Sequence, residues 1–366
     1  MRTRITKLRK AMKAKKLAAF LVTKPENIRW LSGFTGLDHF PLLITPTKKY
    51  MFAHMAAIDQ AKDQTQGFTI VNISKNTEKT ISGVFKKVRG KRIGFEDSVP
   101  YAELANFKKL DKNNKRHYKA TKFLLEELRM IKDRVEVRNI KKACQLLDEA
   151  FAYTKKILRV GITEKDIAWE MEKFMRDRGG GEVAFTFVIG FGSNSARGHH
   201  EPSNRKLKAG EIVFLDYGIK YQGYCSDMSR ILFFGKPTEK FKEIYEIIRR
   251  AQGKAIKAVK PGMIARDIHK IAADEIAKSG KYKLVHSLGH GMGLEIHEIP
   301  FLSPKNKPMT KIKLEPGMVF TIEPGIYPRN TGGGRIEDDI LVTKKGYRRL
   351  TKSPRDLKSM IVKVKK

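Results

Sequence analysis

The chain has 366 residues, 41% of them hydrophobic and 9% aromatic, which suffices for about two packed domains and excludes disorder throughout. Lys and Arg number 75 against 39 Asp and Glu, a net charge of +36 that favours nonspecific polyanion contact, yet no aromatics interleave with the basic residues as a base-stacking platform requires. Two cysteines, Cys144 and Cys225, exclude a disulfide scaffold or CxxC site; the apolar stretches are too short for a membrane helix or a signal peptide, so a cytoplasmic protein without membrane contact is expected.

Residues 3–16 alternate apolar and basic positions at helical spacing through Ile5, Leu8 and Met12. Ala18–Thr23 reads as a buried strand, followed by strands at Pro41–Thr45, Phe68–Ile73 and Lys91–Phe95, with helices around His54–Lys62 and Thr77–Val88. Strands alternating with helices predict an α/β domain over residues 1–125. A helical connector, 126–137, leads to a second domain, 138–366, that ends in a short basic tail. Residues 124–178 are mainly helical, with Leu124, Leu128, Ile131, Val135 and Ile140 opening an apolar stripe that Ala143, Leu147 and Phe151 continue. Thr163 with Asp166 predicts a capping box for a helix that Gly179-Gly180-Gly181 stops. Beyond 182, strands with embedded polar residues are expected at Val183–Ile189, Glu211–Lys220, Tyr224–Phe234, Met318–Pro324 and Ile336–Thr343. Two helices, Glu239–Val259 and Ala265–Ser279, flank Pro261-Gly262.

Four acids sit in these apolar strands. The run before Asp216 predicts a buried carboxylate that requires a compensating cation. With Gln222-Gly223 as a two-residue hairpin turn, Asp216 falls opposite Ser229, and Asp227 lies on the same face one diagonal step away. Glu323, before Pro324-Gly325, and Glu337, after Arg335-Ile336, repeat the theme on a second strand pair. His290 lies between glycines in Gly289-His290-Gly291, where backbone and side chain can approach a ligand closely. One imidazole and four carboxylates form an oxygen-rich donor set that suits Mn²⁺ or Co²⁺ and permits Zn²⁺. Four negative charges balance two divalent ions, so a two-metal centre for metal-assisted hydrolysis is expected.

The strings Leu-Asp216-Tyr-Gly, Ser-Asp227-Met-Ser-Arg, Gly-His290-Gly-Met-Gly-Leu-Glu-Ile-His297-Glu, Thr-Ile-Glu323-Pro-Gly and Arg335-Ile-Glu337-Asp-Asp resemble the metal set of the creatinase/aminopeptidase P/prolidase superfamily. Pro25–Gly36 resembles the opening of the creatinase-type N-terminal domain, and Leu128–Lys132 the linker. The resemblance implies an α+β fold: a pita-bread catalytic domain preceded by the α/β creatinase-type domain. It implies an Xaa-Pro peptidase in which Asp216 and Asp227 bind one metal, His290 and Glu323 the other, and Glu337 bridges. It further implies attack of a bridging hydroxide on the carbonyl before proline, proton transfer by Glu323, and support of substrate and oxyanion by His199 and His297. By the same resemblance Arg335 orients an acid or touches substrate, His200 is a neighbour without a catalytic role, and the chain is a homodimer. Phe301 stands where some prolidases carry the arginine that clamps a dipeptide's carboxylate, which favours an aminopeptidase P-like preference for longer peptides. The alternative is an inactive pita-bread module that binds nucleic acid or protein partners; the charge motivates it, and the complete ligand set speaks against it.

Overall fold

The computed structural model describes residues 2–36, 40–304, 311–328 and 332–365. The chain divides into two compact units, Met1–Arg129 and Met130–Lys366.

The first unit holds β1 (Ala19–Val22), β2 (Leu42–Ile44), β3 (Lys49–Ala53), β4 (Thr69–Asn72), β5 (Arg92–Glu96) and β6 (His117–Thr121) in one sheet of order β4-β3-β2-β1-β5-β6. Every residue of β1 is buried, as a run without polar alternation requires of a central strand. It pairs parallel to β5 and antiparallel to β2. The helices are α1 (Arg2–Ala14), α2 (Pro25–Ser32), α3 (Ile58–Gln64), α4 (Thr77–Lys86) and α5 (Tyr101–Asp111). Buried Glu96, at the end of β5, accepts hydrogen bonds from the backbone N–H groups of Thr23 (2.6 Å) and Lys24 (2.9 Å) and from the Asn27 amide (2.7 Å), tying the start of α2 to the sheet.

α6 (Leu124–Met130) precedes α7 (Arg134–Ile157), whose capping box joins Asp133 to Glu136. That box places Val135 in an exposed first turn, 52% accessible, so the apolar stripe begins at Ile140 rather than earlier in the helix. α8 (Glu164–Arg176) starts at the expected Thr163–Asp166 box, and its last turn runs into Gly179–Gly181.

The second unit is built on two sheets. One contains β7 (Val188–Phe191), β8 (Ile212–Tyr217), β11 (Met228–Phe234) and β19 (Ile361–Val362), in the order β19-β11-β8-β7; the short β9 (Lys220–Tyr221) and β10 (Tyr224–Cys225) extend the β8–β11 hairpin. The strand expected at Val183–Ile189 is thus displaced toward Phe191, and Val183 makes only an isolated bridge to Ile219. The other sheet contains β12 (Gly289–Gly291), β13 (Glu298–Leu302), β14 (Val319–Ile322), β17 (Asp338–Thr343) and β18 (Gly346–Arg349), in the order β13-β12-β14-β17-β18. β15 (Gly325–Ile326) and β16 (Gly334–Arg335) pair beyond β14. α9 (Glu239–Ala258) and α10 (Ala265–Ala277) bury Ile244, Ile248, Ile268 and Ala272 in the core that also holds Phe214, Leu232, Phe320 and Ile340. Among the described residues no helix is long and apolar enough to cross a membrane.

Gln222 and Gly223 both take positive φ (49° and 77°), the signature of a two-residue type I′ turn. The register that follows pairs Tyr221 with Tyr224 and Asp216 with Ser229. In the second sheet Ile322 pairs with Asp338, and Gly325 with Arg335. The same register carried between those pairs sets Glu323 opposite Glu337.

Candidate metal centre

Each expected ligand lies within a buried strand or directly beside one. Asp216 is the penultimate residue of β8, Asp227 immediately precedes β11, His290 is the middle residue of β12, Glu323 follows β14, and Glu337 precedes β17. All five line one cavity of about 670 Å³, together with His199, His286, His297, Phe301, Tyr327 and Arg335. One atom each of Asp227, His290 and Glu337 lie within 4.8 Å of one another. His290 Nε2 is 3.4 Å from Glu323 Oε1 and 3.7 Å from Asp227 Oδ2.

The imidazole of His290 is set up as an electron-pair donor. Its Nδ1 is 3.1 Å from the Gly291 carbonyl, which can only accept, so Nδ1 carries the hydrogen and Nε2 turns a lone pair toward the acids. Burial, with the neighbouring His297 ring, pulls its pKa down to about 3, so the ring is neutral. The backbone N–H of His290 donates to Thr321 Oγ1 (3.1 Å), and the Thr321 hydroxyl is 3.2 Å from Glu323 Oε1.

Arg335 is the cation that Asp216 requires. Its Nη2 donates to Asp216 Oδ2, Nη1 to Tyr327 Oη (2.9 Å) and Nε to Ser229 Oγ (2.9 Å). The Ser229 hydroxyl lies 2.9 Å from Asp216 Oδ1 and 2.7 Å from Glu337 Oε2 and has one proton to give to one of them. One guanidinium cannot neutralise four carboxylates. Burial, and then repulsion by Glu337 and by Asp216, drives Asp227 far above the usual carboxylate range; burial and repulsion by Glu323 do the same to Glu337. Asp227 Oδ1 and Glu337 Oε1 are buried and find no hydrogen-bond partner among the described residues. Two orphaned carboxylate oxygens, on residues grouped with a neutral imidazole, fit a divalent cation, which would supply both the missing charge and the missing partners.

The histidines divide by position. His199 and His297 are exposed on the cavity wall, and the His297 ring stands edge-on to His290 at 4.3 Å. His200 turns inward: its Nε2 meets Glu164 Oε2 at 2.8 Å. Glu164 also accepts from Phe191 N (2.8 Å), Asn194 Nδ2 (2.9 Å), Ser203 N (2.9 Å) and Ser203 Oγ (2.6 Å). One buried carboxylate therefore organises the segment 191–203 that presents His199.

Several site residues escape sequence reasoning. His286 packs against Tyr327 with ring centroids 5.8 Å apart, and its pKa is pulled down to about 4 by burial and then by Arg335. Tyr327 matters through a hydrogen bond that no motif spacing encodes, whereas the hairpin register already sets Ser229 opposite Asp216. Asp338 and Asp339 carried a signal, two acids opening an apolar strand, and both are fully buried. Asp339 accepts from the Asp227 backbone N–H (3.1 Å) and lies 3.2 Å from Cys144 Sγ; Asp338 binds Arg230 Nη2 at 2.8 Å. Arg230 in turn donates to the Glu337 carbonyl at 2.5 Å. The strand ends that carry the candidate ligands are thus locked by a second tier of buried charges. A buried Lys132–Glu298 ion pair (3.0 Å) further anchors the residue that follows His297.

The chain matches known proteins along most of its length. Residues 138–344 match metallopeptidase family M24, and residues 4–131 match the creatinase/prolidase N-terminal domain. The chain is 36% identical to an Xaa-Pro dipeptidase of Pyrococcus horikoshii over 98% of its own length and 99% of the relative's. Among solved structures it is similar to an Xaa-Pro dipeptidase from Bacillus anthracis (TM-score 0.92, 34% identity, 98% and 99% of the two chains). It is also similar to an X-Pro aminopeptidase from Thermotoga maritima (TM-score 0.86, 30% identity, 95% and 98% of the two chains).

Proposed function

This chain belongs to metallopeptidase family M24, and on that premise we propose that it hydrolyses the peptide bond before proline in Xaa-Pro peptides, the substrates named for its relatives. It is a peptidase with a pita-bread catalytic domain behind a creatinase-type domain. In our assignment residues 1–125 form the first domain, 126–137 the connector and 138–366 the catalytic domain. The observation that carries the proposal is the convergence of Asp216, Asp227, His290, Glu323 and Glu337 on one cavity, with orphaned oxygens on Asp227 and Glu337.

Those five residues would hold two divalent ions, Mn²⁺ or Co²⁺ in preference to Zn²⁺ for so oxygen-rich a donor set. Bound divalent ions supply Lewis acidity and lower the pKa of water, making hydroxide available near neutral pH. The protein's own groups do the rest. His199 and His297, on the wall, donate hydrogen bonds to the scissile carbonyl oxygen as negative charge develops there. Glu323 takes up a proton at its carboxylate and returns it to the departing proline nitrogen. Arg335 orients Asp216 and, as a lining residue, is also placed to touch substrate.

Peptide length follows from what the cavity lacks. Among its described lining residues Arg335 is the only Lys or Arg, and it is already engaged; Phe301 offers no charge. We infer that a free carboxylate directly after proline is not required and that longer peptides are accepted. The thiols Cys144 and Cys225 are free and buried, which suits a reducing compartment, and we place the protein in the cytoplasm as a homodimer. The test is a paired assay of one Xaa-Pro dipeptide and one Xaa-Pro tripeptide on metal-stripped protein and after reconstitution with each ion. Both should be cut only after reconstitution. Protein loaded with Mn²⁺, Co²⁺ or Zn²⁺ that leaves both intact refutes the proposal, and cleavage of the dipeptide alone refutes the length preference.

A further inference from the structure

A second concavity of the catalytic unit, about 530 Å³, has no part in the chemistry above. Arg249, Arg250, Lys254 and Lys257 line it from α9, Arg349 from the end of β18, and Arg355 from the segment before α11 (Leu357–Met360); Gly253 and the single acid Asp356 complete it. The volume is that of a small-ligand pocket.

The local charges do not cancel. Buried Asp338 is shared among Arg230 (2.8 Å), Arg355 (3.5 Å) and Arg349 (3.6 Å). Glu275 is shared among Lys254 (2.7 Å), Lys278 (3.0 Å) and Arg250 (3.5 Å). Two carboxylates thus serve six cations. Arg249 pairs with Glu246 on its own helix, while exposed Lys257 has no ion-pair partner among the described residues. Buried Gln252 ties Arg355 to Asp338: its Nε2 donates to Asp338 (3.1 Å) and its Oε1 accepts from Arg355 Nη1 (2.9 Å). Burial pulls the Arg355 guanidinium below its ordinary value, the mark of a cation drawn out of water.

Composition separates this concavity from the general surface. Lysines outnumber arginines about two to one along the chain, yet four of the six cations here are arginines. A guanidinium presents a planar fork that matches phosphate oxygens in pairs, whereas an ammonium is a point charge. No aromatic side chain lines the walls, so a ligand would be gripped by charge and not by stacking on a base. The cations ring a half-open hollow formed by α9, the end of β18 and the segment before α11.

We propose that this concavity binds a small anion bearing adjacent phosphoryl groups, with Arg250, Lys257, Arg349 and Arg355 as its contacts. The site is independent of the peptidase assignment.

The probe is inorganic tripolyphosphate, titrated calorimetrically into the full-length protein at constant ionic strength, because surface attraction alone is screened by salt. One-to-one binding is expected. Arg250→Ala/Lys257→Ala, at exposed positions on an intact helix, should weaken it about tenfold or more, the loss of two charge-assisted contacts. Arg349→Gln should weaken it as well. Lys141→Ala/Lys165→Ala, which removes two exposed charges elsewhere, should change it less than about twofold if the site and not the net charge is responsible. Equal losses in the two double variants, or no binding by the wild type, overturn the proposal. A labelled DNA duplex forms the second arm. If the duplex binds, tripolyphosphate does not, and Arg250→Ala/Lys257→Ala loses the duplex, the concavity serves a nucleic-acid backbone and the small-anion claim fails.

Discussion

Single side chains at the metal centre separate into those that would hold ions and those that would only feel the substrate. Asp227 presents an orphaned oxygen within the tight Asp227–His290–Glu337 group, so Asp227→Ala should abolish metal loading and hydrolysis together. His199 is exposed and lies outside that group, so His199→Ala should leave metal content intact and lower kcat by about 10²-fold, as expected for a donor whose hydrogen bond strengthens in the transition state. Metal analysis and steady-state kinetics on the same preparations check both; a His199→Ala protein that has lost its ions contradicts the division. At this scale the strand acids were legible in the sequence, because a carboxylate in an apolar run demands compensation. Tyr327 and His286 were not, because a phenol or imidazole in those positions is also compatible with an ordinary core or surface.

Elements place these side chains through two devices. The first is Glu164, whose five hydrogen bonds gather residues 191–203. Burial pushes its carboxyl up, but the bonds from Ser203, Phe191, His200 and Asn194 outweigh this and leave it below the ordinary value of 4.5. A depressed folded pKa means stabilisation that is fully present above the unfolded value, about 4.3, and lost as pH falls through the folded one. Glu164→Gln should therefore destabilise metal-free protein by about 1–3 kcal/mol at pH 7 through mismatched donors. The gap in Tm from wild type should narrow between pH 5 and pH 3, and a gap independent of pH would contradict the linkage. The second device is the Gln222-Gly223 turn. Gln222 sits at φ 49°, a conformation that asparagine adopts more readily. Gln222→Asn should raise stability by about 0.5–1 kcal/mol with kcat unchanged, as read from urea unfolding and peptide cleavage. The turn and its register could be inferred from the sequence, since a two-residue Gly-containing loop between apolar runs leaves few options. The short strands β12 and β13 could not: Gly-His-Gly carries no strand propensity, and its place in the sheet depends on β14 beside it.

For the whole molecule the dominant quantity is +36. Self-repulsion of that size opposes compactness, so Tm should rise with NaCl between about 0.01 and 0.3 M, where the screening length falls below 10 Å. A Tm that falls across this range would mean that the exposed ion pairs outweigh the repulsion. The sequence suggests an end to the first α/β domain near residue 125, where alternating strands and helices give way to a mainly helical stretch. The fate of the charge was not legible there, because only the fold gathers Arg249, Arg349 and Arg355 around one hollow. The hairpin has an evolutionary corollary. Because Asp216 and Asp227 hang from opposite arms of one two-residue turn, a single-codon insertion or deletion there would swing one arm's side chains to the wrong face while leaving hydropathy untouched. Length drift at that turn is thus subject to a parity rule, and lineages that break it should be those whose peptidase has fallen silent.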